Sequence, residues 1–242
     1  MASELLERDE EGNYVKTYGD TLNPLRQQYR HLSFSDPLPP GKAERVMNEV
    51  RAADNFTEKY IPHPEVLDYS IEDGSVKLEN VGGAETVKEY LESAEEDASE
   101  LGEMMGRLIA DIHGFGSHGD PELDNFLYCH GDILSLDHEF YSEEKNIEDI
   151  RGDLRLIESD ARTLKKETYI EFMKAFEEAY REETESRGDF PVETDFTTGE
   201  KTFQFIEGLA LTKKRQEDVD IENVLQRSYN LFRNTVDDSR NP

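Results

Sequence analysis

Between residues 118 and 140 the chain reads HGDPELDNFLYCHGDILSLDHEF, and three polar side chains in this stretch stand in an order that could do chemistry. Asp120 is followed five residues later by Asn125, and Asp137 comes after a short apolar hairpin pattern. An aspartate in a rigid loop can orient, or take a proton from, an attacking hydroxyl. An asparagine five residues on can turn back to a divalent ion, and a second aspartate carried alongside by the hairpin can hold that ion against nucleotide phosphates. The alternative is that all three residues are turn formers, which are common in loops.

Other patterns compete for the same stretch. Gly114, Gly116 and Gly119 satisfy GxGxxG, but they follow a helical pattern and lead into Pro121, whereas a dinucleotide site needs a strand before the glycines and a helix after them. His113, His118, His130 and His138 gather near Cys129, as in a zinc or hydrolase centre, yet their spacing fits no standard metalloenzyme pattern. Structural roles account better for them. The second His-Gly-Asp, residues 130 to 132, separates two apolar runs and reads as a hairpin turn around a Gly-Asp pair.

The elements that must position these residues follow from periodicity. LLERDEEGNYVKTYG reads as a hairpin turning at Glu11-Gly12-Asn13 into a strand with Tyr14, Val15, Lys16 and Tyr18. A polar, Pro-rich connection runs from Asp20 to Gly41. AERVMNEVRAADNF then sets Val46, Met47, Val50 and Ala53 on one helical face with Glu49 beside it. VLDYSIEDGSVKLENV predicts two strands about Asp73-Gly74, and Gly82-Gly83 reads as a hinge. After a short helix in ETVKEYLESA, SELGEMMGRLIADIHG carries Leu101, Met104, Met105, Leu108, Ile109 and Ile112 at helical spacing and stops at Gly114. A loop from Ser117 to Asn125 leads to strands at Phe126 to Tyr128 and Ile133 to Leu136. Further helices are expected at 149 to 164, 168 to 183, 203 to 214 and 221 to 234, with PVETDFTTGE as a loop. Tyr169, Phe172, Phe176 and Tyr180 form a core stripe.

Composition bounds the class. The 242 residues include 56 acidic and 27 basic ones, a formal charge of −29, which disfavours nucleic acid as a partner. Acidic residues spread over every segment suit a cytoplasm of molar salt, where self-repulsion is screened within about 3 Å. One cysteine, Cys129, excludes an internal disulfide framework, and the absence of a signal core or a long apolar run predicts a cytoplasmic protein without a membrane span. Asn55-Phe56-Thr57 matches a glycosylation sequon that carries no weight without secretion. Lys213-Lys214-Arg215 is a compact basic cluster and reads as a solvated helix end, with an anionic substrate or a protein partner as the other possibility.

HGDPELDN resembles the catalytic loop of the protein-kinase-like superfamily, H[RG]DxxxxN, and LDHE stands where those proteins carry DFG. Gly in place of Arg is similar to the atypical members: the kinase of the KEOPS complex, RIO and lipopolysaccharide kinases, and aminoglycoside and choline kinases. ADIHGFGSHGD extends the match backward, and Asp153 resembles the aspartate that buttresses the catalytic loop. The short distance from Asp137 to Asp153 implies no full activation segment. The resemblance implies an α+β, two-lobed kinase-like fold, with a reduced β lobe over residues 1–81 and a mainly helical lobe over 82–242. It implies an ATP- and magnesium-dependent transfer to a hydroxyl of a protein or small molecule. Asp120 would orient the acceptor, Asn125 and Asp137 would bind magnesium, and Lys16, held by Glu49, would contact phosphates. Backbone groups from Glu79 to Val81 would meet the adenine ring. No glycine-rich loop precedes Lys16, and Glu139 gives DxE as in sugar and choline kinases. Two alternatives stay open: a nucleotide-binding scaffold without turnover, and a metal-dependent hydrolase built on the histidines.

Overall fold

The computed structural model describes residues 4–19, 41–94, 97–144 and 146–187. The chain divides into Met1–Thr194 and Asp195–Pro242, and all described residues lie in the first unit. The helices expected at 203–214 and 221–234, the PVETDFTTGE loop and the Lys213-Lys214-Arg215 cluster lie outside them.

The architecture is α+β. Strands β1 (Glu4–Arg8) and β2 (Tyr14–Tyr18) form a hairpin whose turn is organised by Asp9: its carboxylate accepts the amides of Glu11 and Asn13 at 2.9 Å each, and Gly12 takes φ +87°. Strands β3 (Val66–Ser70) and β4 (Ser75–Leu78) form a second hairpin around Gly74, also at positive φ. The four make one antiparallel sheet in the order β1-β2-β4-β3, with Lys16 opposite both Leu6 and Val76. Since residues directly opposite share a face, Lys16 stands on the same side of the sheet as Val76. Two residues along β2, Tyr18 shares that face and packs with Val76 against Val46 of helix α1 (Lys42–Lys59).

Helix α1 departs from the expected pattern. Met47 and Val50 are half-buried, while Arg45, Asn48 and Glu49 are buried alongside Val46, Ala52, Ala53 and Phe56. A hydrophobic periodicity cannot anticipate this, because the polar residues go inward to meet partners from a distant segment. Phe56 packs edge-on against His63, Phe115, His138 and Tyr141, with ring centroids 4.7 to 6.0 Å away, anchoring the helix to the region that follows. The helix ends at Tyr60 in the left-handed conformation.

The remainder is mainly helical. A two-residue strand β5 (Glu85–Thr86), not expected from the sequence, joins β6 (Phe126–Cys129) and β7 (Asp132–Ser135) in the order β5-β6-β7. The β6-β7 turn is His130-Gly131, both at positive φ as a type I′ turn requires, so the pair is displaced by one residue from the expected Gly-Asp. Thr86 and Glu89 form a capping box on α2 (Val87–Ser93). Helix α3 (Ala98–His113) stops at Gly114, as expected, with Gly114 itself in right-handed helical angles. Helices α4 (Ile147–Ala161) and α5 (Lys166–Ser186) begin earlier than predicted, and Tyr169, Phe172, Phe176 and Tyr180 are all buried. No helix among the described residues is long and apolar enough to cross a membrane.

Glycines set how closely α3 approaches α5. A Cβ on Gly102 would lie 2.2 Å from the carbonyl oxygen of Phe172, and one on Gly106 would lie 2.4 Å from that of Phe176. Both obstacles are backbone, so the helices must separate to admit a methyl group. We expect Gly106→Ala to cost about 2 kcal/mol, lowering Tm by roughly 5 °C. Gly82→Ala, whose Cβ would meet nothing within 4 Å, is the control that should leave Tm unchanged. Equal melting curves for the two variants in calorimetry would refute the close approach.

Candidate functional site

Lys16 is delivered by β2, Glu49 by α1 and Asp137 by the segment leaving β7. They meet at the lysine ammonium, which lies 3.0 Å from Glu49 Oε1 and 2.5 Å from Asp137 Oδ1. Its own side chain is 5% exposed, so the two carboxylates replace the water it has lost. Lys16 Nζ also stands 4.9 Å from the centroid of the Tyr18 ring. Asp137 has φ +58°, a left-handed conformation that aspartate tolerates better than most residues.

Glu49 is held from three sides. Oε1 accepts Lys16 and, at 2.7 Å, the Tyr18 hydroxyl; Oε2 faces His138 Nδ1 at 3.3 Å. Burial pushes this carboxyl up, but Lys16, His138 and Tyr18 together outweigh burial and hold it well below the usual carboxylate range. Burial and the Glu49 charge raise Tyr18 well above its ordinary value, so it stays a donor. Glu49 and Asp137 both line a small pocket of about 10 Å³, room for about one water.

The loop bearing Asp120 is suspended from α4. Asp153 accepts the amides of His118 and Gly119 at 2.7 and 3.0 Å through separate oxygens, and His113 Nε2 approaches it at 3.2 Å while His113 Nδ1 meets the Tyr180 hydroxyl. Seven residues on, two helical turns away, Asp160 accepts the Leu123 amide at 2.8 Å and pairs with Lys88 at 2.7 Å. Within the loop, Asn125 Nδ2 donates to the Asp120 carbonyl at 2.7 Å, and the Leu136 amide donates to the Asn125 carbonyl at 2.9 Å. Asp137, the next residue, is thereby tied to the Asp120 loop. Gly119 permits the tight path: it takes φ +89°, and a Cβ there would lie 2.4 Å from the Phe140 carbonyl oxygen.

Lys16, Glu49 and Asp137 are thus brought together, and Asp120 and Asn125 join them through backbone bonds. Glu79 and Val81 stand apart from these contacts. The Glu79 amide extends the sheet by donating to Glu65, and the Val81 amide makes no hydrogen bond among the described residues. Gly114 ends α3, and Gly116 and Gly119 allow close approach to the 140–142 segment. The four histidines do not form one cluster: His113 faces Asp153, His138 faces Glu49 with the His118 ring 5.2 Å away, and His130 sits exposed at a turn. Among the described residues no group of three His, Cys, Asp or Glu side chains is placed to hold a metal ion. Sequence reasoning missed Arg45, Asn48 and Asp160, and it gave His138 a structural role without Glu49 as its partner. Only Asp160, two turns beyond Asp153 on the same helix face, left a signal in the spacing.

No protein-family model matches this chain, and no curated protein matches it. Among solved structures, it is similar to WaaP in complex with acyl carrier protein, at 12% identity over 76% of this chain and 82% of that one, with a TM-score of 0.46.

Fully buried His118 has its imidazole pushed down to about 4 from 6.5, first by burial and then by the neighbouring His138. The Asp120 amide donates to its Nδ1 at 3.3 Å, which requires the neutral ring. A depressed pKa means that the unfolded chain binds the proton first as pH falls. Stability should therefore decline from pH 6.5 toward pH 4, by up to about 3 kcal/mol from this group alone. In denaturant titrations, His118→Asn, which keeps an acceptor near Nδ1, should flatten that decline. An unchanged slope would show that His118 does not carry it.

Proposed function

We propose that this chain is a phosphotransferase with a two-lobed, protein-kinase-like fold, residues 1–81 forming the reduced lobe and 82–242 the helical one, which moves the γ-phosphoryl of ATP to a hydroxyl. The observation that carries the reading is the convergence of Lys16, Glu49 and Asp137 from three separate elements on one buried ammonium. Structural turn formers have no reason to meet there. Lys16 contacts the phosphates, Glu49 fixes Lys16, and Asp120 takes the acceptor proton. The hydroxyl oxygen bonds to the γ-phosphorus as the bridging bond to the β-phosphate breaks, and ADP leaves with that oxygen.

The residues present fit a magnesium ion. Asn125 commits its Nδ2 to the Asp120 carbonyl, so the amide oxygen is the atom left for a metal, and Asp137 adds a carboxylate. One or two hard oxygen ligands beside substrate phosphates are what magnesium uses. When bound, the ion would neutralise phosphate charge. The carbonyl of Glu79 and the amide of Val81 would receive the adenine edge. With a chain charge of −29, both magnesium and high salt should favour nucleotide binding.

A second reading, a nucleotide-binding scaffold, draws on the β1-β2 turn, whose amides at Glu11 and Asn13 are already claimed by Asp9 and so give no phosphate clamp. One assay separates the two. In molar KCl with magnesium and γ-labelled ATP, turnover or self-labelling should fall at least about a hundredfold in Asp120→Asn and Asp137→Asn. Nucleotide-dependent thermal stabilisation without turnover would establish the scaffold, and turnover indifferent to both variants would remove the assigned site.

A further inference from the structure

The segment after Asp137 is fastened to α1 by polar contacts at three positions of one helical turn, 45, 48 and 49. Asn48 Nδ2 donates to the Glu139 carbonyl at 2.9 Å. Arg45 Nη1 lies 3.5 Å from Glu139 Oε2, with side chains 1% and 0% exposed, while its guanidinium stacks 4.8 Å from the Tyr18 ring and Nη2 donates to the Gly19 carbonyl. His138 completes the set toward Glu49. Its ring is aimed by two neighbours: the Ser135 hydroxyl lies 2.9 Å from Nε2, and the Phe56 ring packs edge-on at 4.7 Å. Against a carboxylate, Nδ1 must be the donor.

We infer that His138 is a positioning residue, acting on Lys16 through the 3.3 Å polar contact of its Nδ1 with Glu49 Oε2. An apolar residue could fill the same space against Phe56, but it would leave Glu49 Oε2 buried without a donor, and the carboxylate would be free to turn away from Lys16. The latch makes the two ends of the lysine's cage one unit: the residue that follows Asp137 grips the residue that faces it. Arg45 and Asn48 hold the same segment one turn and one residue earlier on α1, so the assembly needs no added switch. The inference rests on the phosphotransferase reading for its kinetic consequence, but not for its structural one.

The test compares the full-length wild type with His138→Asn, whose amide nitrogen falls near the Nδ1 position, and His138→Phe, which keeps volume and loses the donor. In MgATP kinetics, loss of this one hydrogen bond should raise KM for ATP about tenfold in His138→Phe, with a smaller fall in kcat, and His138→Asn should stay within about threefold of wild type. In nucleotide-free protein, hydrogen exchange over residues 45–56 should quicken about tenfold in His138→Phe and revert in His138→Asn. A merely space-filling role predicts the opposite ranking, with phenylalanine the better substitute, and that ranking overturns the proposal. Where His138→Phe does not fold, His138→Gln, whose amide falls near Nε2 instead, makes the same comparison with Asn. If the wild type shows no turnover, the phosphotransferase reading fails, and the exchange ranking still decides the latch.

Discussion

A lysine ammonium taken out of water needs compensation within hydrogen-bond reach, and the rest of this site is arranged around that need. Lys16 obtains it from two carboxylates belonging to different parts of the chain. Removing either one would leave an under-compensated buried charge, which costs far more than the net worth of an exposed pair. The strand, the helix and the hairpin exit are therefore interdependent. Around this centre, among the described residues, Lys16 and Arg45 face Glu49, Asp137 and Glu139.

The loop that holds Asp120 solves a different problem. Its amides at His118, Gly119 and Leu123 turn inward, where an unpaired N–H costs about as much as a lost hydrogen bond. Two aspartates on one face of α4 satisfy all three. Because α4 itself is fixed by its apolar face, with Ile150, Leu154 and Ile157 buried, the loop inherits the rigidity of the core rather than that of the surface.

How much of this was legible in the sequence depended on how local the cause was. The hairpin at Asp73-Gly74, the core stripe of α5 and the ordering of Asp120, Asn125 and Asp137 follow from periods and spacings within a few residues. Lys16 and Glu49 were found through resemblance, since a lysine in a strand and a glutamate beside a helix face have no distinguishing local mark. Arg45 and Asn48 were passed over because helical periodicity assigns buried positions to apolar residues. Their burial is intelligible only when Glu139, more than ninety residues away, supplies the partner. His138 is one of four histidines that the sequence groups, and no local spacing marks that its ring meets both Phe56 and Glu49.

That last point bears on what a polar residue can do in an apolar place. Hydrophobic contact between the segment that follows β7 and a neighbouring helix is non-directional and admits sliding. A hydrogen bond from an imidazole whose other nitrogen is also engaged fixes distance and orientation together. In this chain direction is set three times over, by His138, Asn48 and Arg45, and each bond ends on residue 49 or residue 139. Such over-determination stabilises little beyond apolar packing, since each buried polar pair must first offset its own desolvation. What it adds is geometric uniqueness. The site most dependent on geometry, where a cation and two carboxylates meet, is the one these bonds enclose.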